Sequence, residues 1–558
     1  MLLLWVNFIG AVIALDNGLA RTPPMGWMSW TAFYCEMDCV KHPKACINEN
    51  LYMEMADELV KGGYREAGYV NVHVDDCWMG REREKSSGRL IANTTRFPSG
   101  IQNLSRYMHA RGLNFGIYED YGTKTCAGFP GSYGYLKIDA ETFAEWEVDY
   151  LKLDGCNIDT DLMPKGYADM ELALNATGRP IVYSCSWPAY LIDRPEKVDY
   201  NTIAKSCNLW RNFDDINSSW KSILSIIDYY DHNQNKHIPT HGPGQWHDPD
   251  MLVIGNPGIT VNMAIAQMTI WSIWSAPLIM SNDLRIIAPE FRKILLNREV
   301  IAIDQDPMGR MGRLVANVSG VGAYVKPITP LYDTDTSFAL GFLNRNTKPN
   351  EVEFKLRNMG LENPRGYMVK DLWNDMPTMK LFPDNILRIV VPPTSAALYR
   401  AELIRPKRWV EKNQMYEMLT NKEQLMKQHS SRIPEASEET LLGVEVRFGF
   451  HRRVFSSTEL IGTKLFSMRT KTRRKTAGVD LRILSHSVEN GRVFDDVGAS
   501  LSGLFFEVGV SACEESEPAL DSPDGSGALA QSSVDVVGCC RCSNAAKPFT
   551  EDDSSKLL

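Results

Sequence analysis

The stretch Trp146-Glu147-Val148-Asp149-Tyr150-Leu151-Lys152-Leu153-Asp154-Gly155-Cys156 sets the reading of the chain. Its β-rich run, 150–154, is short and ends in a carboxylate. Similar runs lie at 26–30, 70–76, 115–120, 181–187, 209–215, 251–255 and 277–283, most of them followed by a helical pattern. Strands alternating with helices are how a parallel sheet reads in sequence. Eight of them predict a closed (β/α)8 TIM barrel over residues 15–310. An open doubly wound sheet has the same alternation, because the sequence does not show whether the eighth strand meets the first.

Between the runs, Trp220, Ile223, Leu224 and Ile227 fall at i, i+3, i+4 and i+7, an apolar stripe for packing on the outside of a barrel. From 311 to 403 the pattern changes to short alternating strands at 337–343, 351–356, 367–373 and 386–391, which predicts a small antiparallel β-sandwich domain. Residues 404–558 form a C-terminal extension of unknown role, ending in a Ser, Gly and acidic segment expected to lack a packed core. Cys513, Cys539, Cys540 and Cys542 lie there without a nearby histidine or a second spaced pair, so a metal site is not expected.

The 558 residues carry a formal net charge of −9, with no overall basic field to attract a phosphate backbone, so nucleic acid is a poor partner. The basic run Arg469, Lys471, Arg473, Arg474 and Lys475 reads as a solvated segment. Residues 1–14 are a short apolar stretch compatible with a signal peptide cleaved before Leu15. No later segment supplies the ~20 apolar residues that a bilayer span needs. Eight of the twelve cysteines fall between Cys35 and Cys207, which predicts disulfides and an oxidising compartment. Asn-x-Ser/Thr triplets at Asn93, Asn103, Asn175, Asn217 and Asn317 agree with a secreted or lysosomal chain.

In an eight-stranded parallel barrel the carboxyl ends of the strands face one shared pocket. Here those ends are acidic: Asp75, Asp76, Glu119, Asp120, Asp154, Asp214, Asp215 and Asp283, with Asp248 and Asp250 before the expected seventh strand. Trp27, Trp30, Trp78, Tyr118, Trp187, Tyr190, Trp210 and Trp246 accompany them. Carboxylates beside flat apolar faces suit a sugar, whose hydroxyls hydrogen-bond while its C–H faces stack on rings. Glycoside hydrolysis needs one ionised and one protonated carboxyl group. Asp154 shares a strand face with Lys152, whose ammonium favours the ionised form, so Asp154 is the candidate nucleophile. Asp215 lies near Arg211, and serving as general acid requires a closed, poorly solvated pocket to hold its proton. Metal-assisted hydrolysis is the competing chemistry, but His73, His241 and His247 make no tight His-x-x-x-His pair.

Six segments resemble glycoside hydrolase family 27, the α-galactosidases and α-N-acetylgalactosaminidases. They are Leu15-Asp-Asn-Gly-Leu-Ala-Arg-Thr-Pro-Pro-Met-Gly-Trp27, Asp75-Asp-Cys-Trp78, Lys124-Thr-Cys-Ala-Gly-Phe-Pro-Gly131, Lys152-Leu-Asp-Gly-Cys156, Trp210-Arg-Asn-Phe213 and Asp248-Pro-Asp-Met251. The resemblance implies a barrel with an antiparallel β domain, hydrolysis by double displacement with retention, no metal or other cofactor, and a homodimer acting on a glycan. It assigns the nucleophile to Asp154 and the acid/base to Asp215. Sugar contacts fall on Trp30, Asp75, Asp76, Tyr118, Lys152, Arg211 and Asp250, with Ser186, Ala189 and Tyr190 after the fifth strand. It implies the disulfides Cys35–Cys77, Cys39–Cys46, Cys126–Cys156 and Cys185–Cys207.

Substrate choice turns on Ser186 and Ala189, where the resemblance places Glu and Leu in the galactosidases and Ser and Ala in the N-acetylgalactosaminidases. Ala189 leaves room for an acetyl methyl, and Ser186 offers a hydroxyl to its carbonyl. The first expectation is therefore an exo-acting α-N-acetylgalactosaminidase, the second an α-galactosidase, and the reading from another class a silent sugar-binding barrel. The chain departs from the family at Glu119, Gln245 and His247. Glu119 adds a charge near the site unless the strand turns it outward, and His247 can alter the pH response of the pocket.

Overall fold

The computed structural model describes Leu15, residues 17–405, and four short strands further along the chain, Ser467–Arg469, Arg482–Leu484, His486–Glu489 and Arg492–Asp495. The chain divides into two compact units, Met1–Ala436 and Ser437–Leu558. In the second, the four strands form two antiparallel hairpin pairs. The signal-peptide segment and Cys513, Cys539, Cys540 and Cys542 lie outside the described residues. Among the described residues no helix is long and apolar enough to cross a membrane.

The first unit opens with β1 (Met25–Met28), β2 (Asn71–Val74), β3 (Asn114–Asp120), β4 (Tyr150–Asp154), β5 (Val182–Cys185), β6 (Leu209–Arg211), β7 (Trp246–Asp248) and β8 (Leu278–Met280). They form one parallel sheet in the order β7-β6-β5-β4-β3-β2-β1-β8. Leu252, beyond β7, makes a parallel bridge with Met280 of β8. The Leu252 N–H donates to the Ile279 carbonyl at 2.7 Å, and the Ser281 N–H to the Leu252 carbonyl at 2.9 Å. These bonds link the two ends of the sheet, and the TIM-like barrel is the fold that the alternating pattern predicts. Close neighbours in the wall demand small residues. A Cβ on Gly116 of β3 would stand 2.1 Å from the His73 ring of β2, so only glycine fits there.

The seventh strand differs from expectation. The apolar run 251–255, buried from Met251 to Ile254, follows the strand and packs against β8, while β7 itself is Trp246-His247-Asp248. Asp248 consequently closes β7 instead of preceding it, and Asp250 follows two residues on, both at the carboxyl end of the barrel.

Eight further strands follow: β9 (Arg313–Val318), β10 (Val321–Tyr332), β11 (Asp335–Asn344), β12 (Asn350–Lys355), β13 (Tyr367–Asp371), β14 (Met379–Leu381), β15 (Ile386–Val391) and β16 (Ala396–Leu403). Six make one antiparallel sheet, β14-β13-β16-β11-β10-β9, and β12 pairs with β15 in a second. The sheets share a core of Leu340, Phe342, Phe354, Ile389 and Tyr399, with Phe342 and Phe354 centroids 5.1 Å apart. The sandwich joins the barrel through the helix Val261–Trp274, whose residues from Ala266 to Trp274 are all buried. A surface helix would show a polar face. This one has none along that stretch because the second side is covered: the Trp373 indole donates to Thr269 Oγ1 at 2.8 Å, and the fully buried Lys326 ammonium donates to the Ser272 carbonyl at 2.9 Å.

Candidate active site

Two cations organise the carboxyl end of the barrel. On β4, side chains alternate, so Lys152 and Asp154 both point to the pocket while Leu151 and Leu153 pack in the core. The Lys152 ammonium donates to Asp75 Oδ2 at 2.8 Å and lies 5.2 Å from the centre of the Tyr118 ring. Burial alone would drive this ammonium toward neutrality. Asp75, Asp154, Asp215 and Asp250 outweigh that and raise its pKa, so Lys152 stays charged.

Asp154 is gripped by three donors. The Tyr118 hydroxyl donates to Oδ2 at 3.0 Å, the Tyr190 hydroxyl to Oδ1 at 2.7 Å, and the Gly155 N–H to Oδ1 at 2.9 Å. Gly155 permits the second bond, since a Cβ there would meet the Tyr190 ring at 3.0 Å. Three hydrogen bonds to one carboxylate fix its orientation. The Cys126–Cys156 disulfide ties the loop after β3 to the one after β4, and the Cys156 N–H donates to Asp120 Oδ2 at 2.8 Å. Asp120 is buried beside Asp154 in the sheet register; burial, then the Asp154 charge, pushes its pKa up to about 8. Asp76 accepts backbone N–H groups from Cys77 at 2.6 Å and Ala127 at 2.9 Å. Burial nonetheless raises its pKa to about 6.

The second cation, Arg211, ends β6. Its guanidinium donates to Asp215 Oδ1 at 2.9 Å and pairs with Asp250 Oδ1 at 3.2 Å. Asp250 Oδ2 accepts the Ile216 N–H at 2.8 Å, which locks the loop after β6 to the one after β7. Asp250 adopts φ 78°, a left-handed backbone that costs a non-glycine residue about 1–3 kcal/mol and recurs at functional sites. Asp248 accepts the Asp250 N–H at 2.8 Å, and burial raises its pKa to about 6. Asp215 differs from these neighbours in that its side chain is 69% exposed. Desolvation on its pocket side raises its pKa, but Arg211 and Lys152 outweigh this and hold the carboxyl below its ordinary range. The closed, poorly solvated surroundings that a general acid requires are not met in the open site: an open mouth and an adjacent guanidinium favour the ionised form.

Below the two cations lies a cavity of about 10 Å³, room for one water, lined by Tyr150, Lys152, Ser184, Arg211, Asp248 and Asp250. A larger cavity of about 390 Å³, bordered by Lys44, Glu54, Asp57, Tyr107 and Arg285, includes none of the strand-end carboxylates, so size does not mark the site here. Asp120, Cys126 and Cys156 place ligand-type atoms within 4.8 Å of one another, but both sulfurs are spent in the disulfide and offer no thiolate.

The fold brings Asp75, Asp76, Tyr118, Lys152, Asp154, Tyr190, Arg211, Asp215 and Asp250 to one end of the barrel. Trp30 is half-buried beside them, and Ser186 and Ala189 lie on the turn that carries Tyr190. Most of the other aromatics are structural. Trp27, Trp78, Trp210 and Trp246 are fully buried, and the indoles of Trp27, Trp78 and Trp246 donate to the backbone carbonyls of Asn282, Tyr118 and Ala20. Asp283 is held by Arg285 at 2.7 and 2.8 Å.

Glu119 is turned to the opposite face of β3 from Tyr118 and Asp120. There it is fully buried near the Arg83–Asp139 ion pair, and burial, then Asp139, raises its pKa well above the usual range, so it adds no charge to the pocket. His247 is also buried. Its Nδ1 accepts from the Trp210 indole at 3.1 Å, which leaves the proton on Nε2, 3.0 Å from Thr240 Oγ1. Sequence reasoning did not anticipate the direct bond from Tyr190 to Asp154; the glycine at 155 was its trace.

Residues 22–306 match the family described as alpha galactosidase A. The chain belongs to that family, glycoside hydrolase family 27. It is 50% identical to the α-galactosidase A of Homo sapiens over 333 residues, 60% of this chain and 76% of that protein. Against the α-N-acetylgalactosaminidase of Gallus gallus it is 45% identical over 388 residues, 69% of this chain and 94% of that protein. Among solved structures, α-galactosidase I of Mortierella vinacea superposes with a TM-score of 0.61 at 29% identity, covering 69% of this chain and 98% of that one. As a family 27 member the protein is a glycoside hydrolase with a glycan substrate. All four disulfides implied by the resemblance are formed.

Proposed function

We propose that this family 27 enzyme removes terminal, non-reducing α-linked N-acetylgalactosamine from glycoproteins and glycolipids by double displacement with retention. Asp154 attacks the anomeric carbon as the bond to the aglycone oxygen breaks. Asp215 delivers a proton to that oxygen, then takes one from the water that hydrolyses the glycosyl-enzyme. Trp30, Asp75, Asp76, Tyr118, Lys152, Arg211 and Asp250 hold the sugar. The three donors on Asp154 support the nucleophile role, because attack requires a carboxylate held in one orientation. Asp215 meets solvent and a cation in the open site; a bound substrate covers it, excludes water and raises its pKa toward that of a working acid.

The observation that carries the substrate assignment is the short turn Trp187–Leu191 with Ser186 just before it. This turn sends Tyr190 to the nucleophile, so Ser186 and Ala189 stand beside the sugar that Asp154 attacks. Two small side chains there leave space for an N-acetyl group. The 50% identity to human α-galactosidase A favours a second reading, an α-galactosidase. We place the enzyme in the lysosome or outside the cell, as a glycosylated homodimer, after loss of residues 1–14; the disulfides support the oxidising route. The catalytic domain is assigned to 15–310 and the β domain to 311–403.

The test is hydrolysis at acidic pH of the nitrophenyl α-glycosides of N-acetylgalactosamine and galactose, by wild type and by Ser186→Glu combined with Ala189→Leu. Wild type is expected to prefer the N-acetyl substrate and the double variant to turn toward galactose. A wild-type preference for galactose would move the assignment to the second reading, and binding of either sugar without hydrolysis would leave a silent barrel.

A further inference from the structure

Five Asn-x-Ser/Thr triplets lie within the first unit, and the fold separates them. Asn103 lies inside the helix Ile101–His109 and spends its amide on the Ser99 carbonyl at 2.7 Å. Asn175 is in the last turn of the helix Met163–Ala176, which runs back from β4 to the amino end of β5, away from the site. Asn317 is on β9 of the sandwich, and Asn93 is half-buried. Asn217 alone among them is exposed on the segment that leads from β6 and carries Asp215. One residue, Ile216, separates it from Asp215, which puts their Cα atoms within about 7 Å.

The segment is held firmly. The Ile216 N–H donates to Asp250 at 2.8 Å, the Asn217 N–H to Ser222 Oγ at 3.0 Å, and the Asn256 amide to Ser218 Oγ at 3.2 Å. Ser219 both completes the Asn-Ser-Ser triplet and caps the helix Trp220–His237. Its hydroxyl donates to Asn217 Oδ1 at 2.6 Å, while among the described residues the Asn217 Nδ2 has no partner and is exposed. A bulky group on this nitrogen would break no bond of the fold.

We propose that Asn217 carries an N-linked oligosaccharide that stands at the aglycone side of the active site and screens substrates by the bulk of their leaving group. The attachment forms a bond from Nδ2 to the anomeric carbon of a lipid-pyrophosphate-linked oligosaccharide; the lipid pyrophosphate leaves with the electron pair of the broken C–O bond, and the amide gives up one proton. The screening follows from position. Asp215, the proton donor of the proposed reaction on which this inference rests, faces the leaving group, so a wide hydrated chain rooted beside it occupies the space where a branched aglycone must lie. A small aglycone passes beneath.

Full-length protein secreted from a eukaryotic host decides both halves. Peptide mass spectrometry after enzymatic glycan release is expected to show the Asn-to-Asp change at position 217, and in Ser219→Thr, which keeps the acceptor and the cap, but no glycan in Asn217→Gln. Relative to wild type, Asn217→Gln should raise kcat/KM on a densely glycosylated mucin-type glycopeptide about threefold or more and leave the nitrophenyl glycoside unchanged. Native deglycosylation of wild type should reproduce that ratio if the variant secretes poorly. An unmodified Asn217 overturns the site, and a glycan whose removal changes neither ratio overturns the screen. Failure to cleave the N-acetylgalactosaminide would count against the substrate assignment alone, because occupancy is read by mass and the same ratio can be taken with galactosides.

Discussion

The Lys152 and Arg211 halves of the site are built from the same parts, one cation among several carboxylates, yet they treat their key carboxylate in opposite ways. Around Lys152, three donors and a neighbouring disulfide hold Asp154 in one orientation. Around Arg211, Asp250 is the buried and doubly anchored partner, while Asp215 receives one guanidinium hydrogen bond and is otherwise open. A group that must strike a single atom gains from rigidity. One that must take a proton, give it up and take it again gains from contact with water and from a pKa that the substrate itself can move. The difference between the halves matches the two chemical roles proposed for them, which the bare residue type, aspartate in both, does not distinguish.

Breaking each half in turn should give the largest effects. Asp154→Asn is expected to lower kcat by on the order of 10⁴-fold on every substrate, whatever its leaving group. Asp215→Asn should approach that loss on natural glycosides, be much milder in the first step on nitrophenyl glycosides, and regain turnover with added azide. Steady-state and burst kinetics distinguish the two, and identical responses would erase the asymmetry. A smaller change tests the grip on Asp154: Tyr190→Phe keeps the ring over Gly155 but deletes the 2.7 Å bond, with an expected loss of about 10- to 100-fold in kcat at unchanged folding stability.

An effect on stability and not on turnover lies behind Trp210, where His237, His241 and His247 cluster with ring centres 4.6 and 5.8 Å apart. Burial lowers the pKa of His237 and His241 to about 3, and that of His247 well below 6.5. These histidines resist protons in the folded state and accept them when unfolded. Their contribution to stability is complete above about pH 6.5 and shrinks as pH falls below it, by up to ~1.4 kcal/mol per pH unit for each ring. Asp76 in the Lys152 half titrates the opposite way: its pKa is raised to about 6, so its contribution is complete in acid and is lost as pH rises through 6. His247→Asn, which retains an acceptor for Trp210, should therefore make unfolding less acid-sensitive. Urea midpoints at pH 4.5 and 7.5 check this, the gap narrowing by about 2–3 kcal/mol in the variant.

Much of this was legible in sequence because barrel strands announce themselves twice, by an apolar run and by the carboxylate at its end. The reading slipped at the seventh strand. Met251-Leu-Val-Ile-Gly255 is more apolar than Trp246-His247-Asp248, but burial of a loop against β8 selects apolar residues as strongly as a strand does. Tryptophans misled for a related reason: beside carboxylates they suggest sugar platforms, whereas most fill the wall and satisfy their N–H on carbonyls. Glu119 was decided by strand alternation alone, one residue from Tyr118 and one face away. The state of Asp215 could not be read at all, because it depends on how far Arg211 reaches and how open the mouth is, which are properties of loops folded together.

The helix Val261–Trp274 belongs to two cores at once, with the barrel on one side and the sandwich on the other. Neither core can come apart without stripping it. Barrel and sandwich are therefore expected to share one melting event, and the lifetime of the catalytic end is set in part by β-strands on which none of its residues lie.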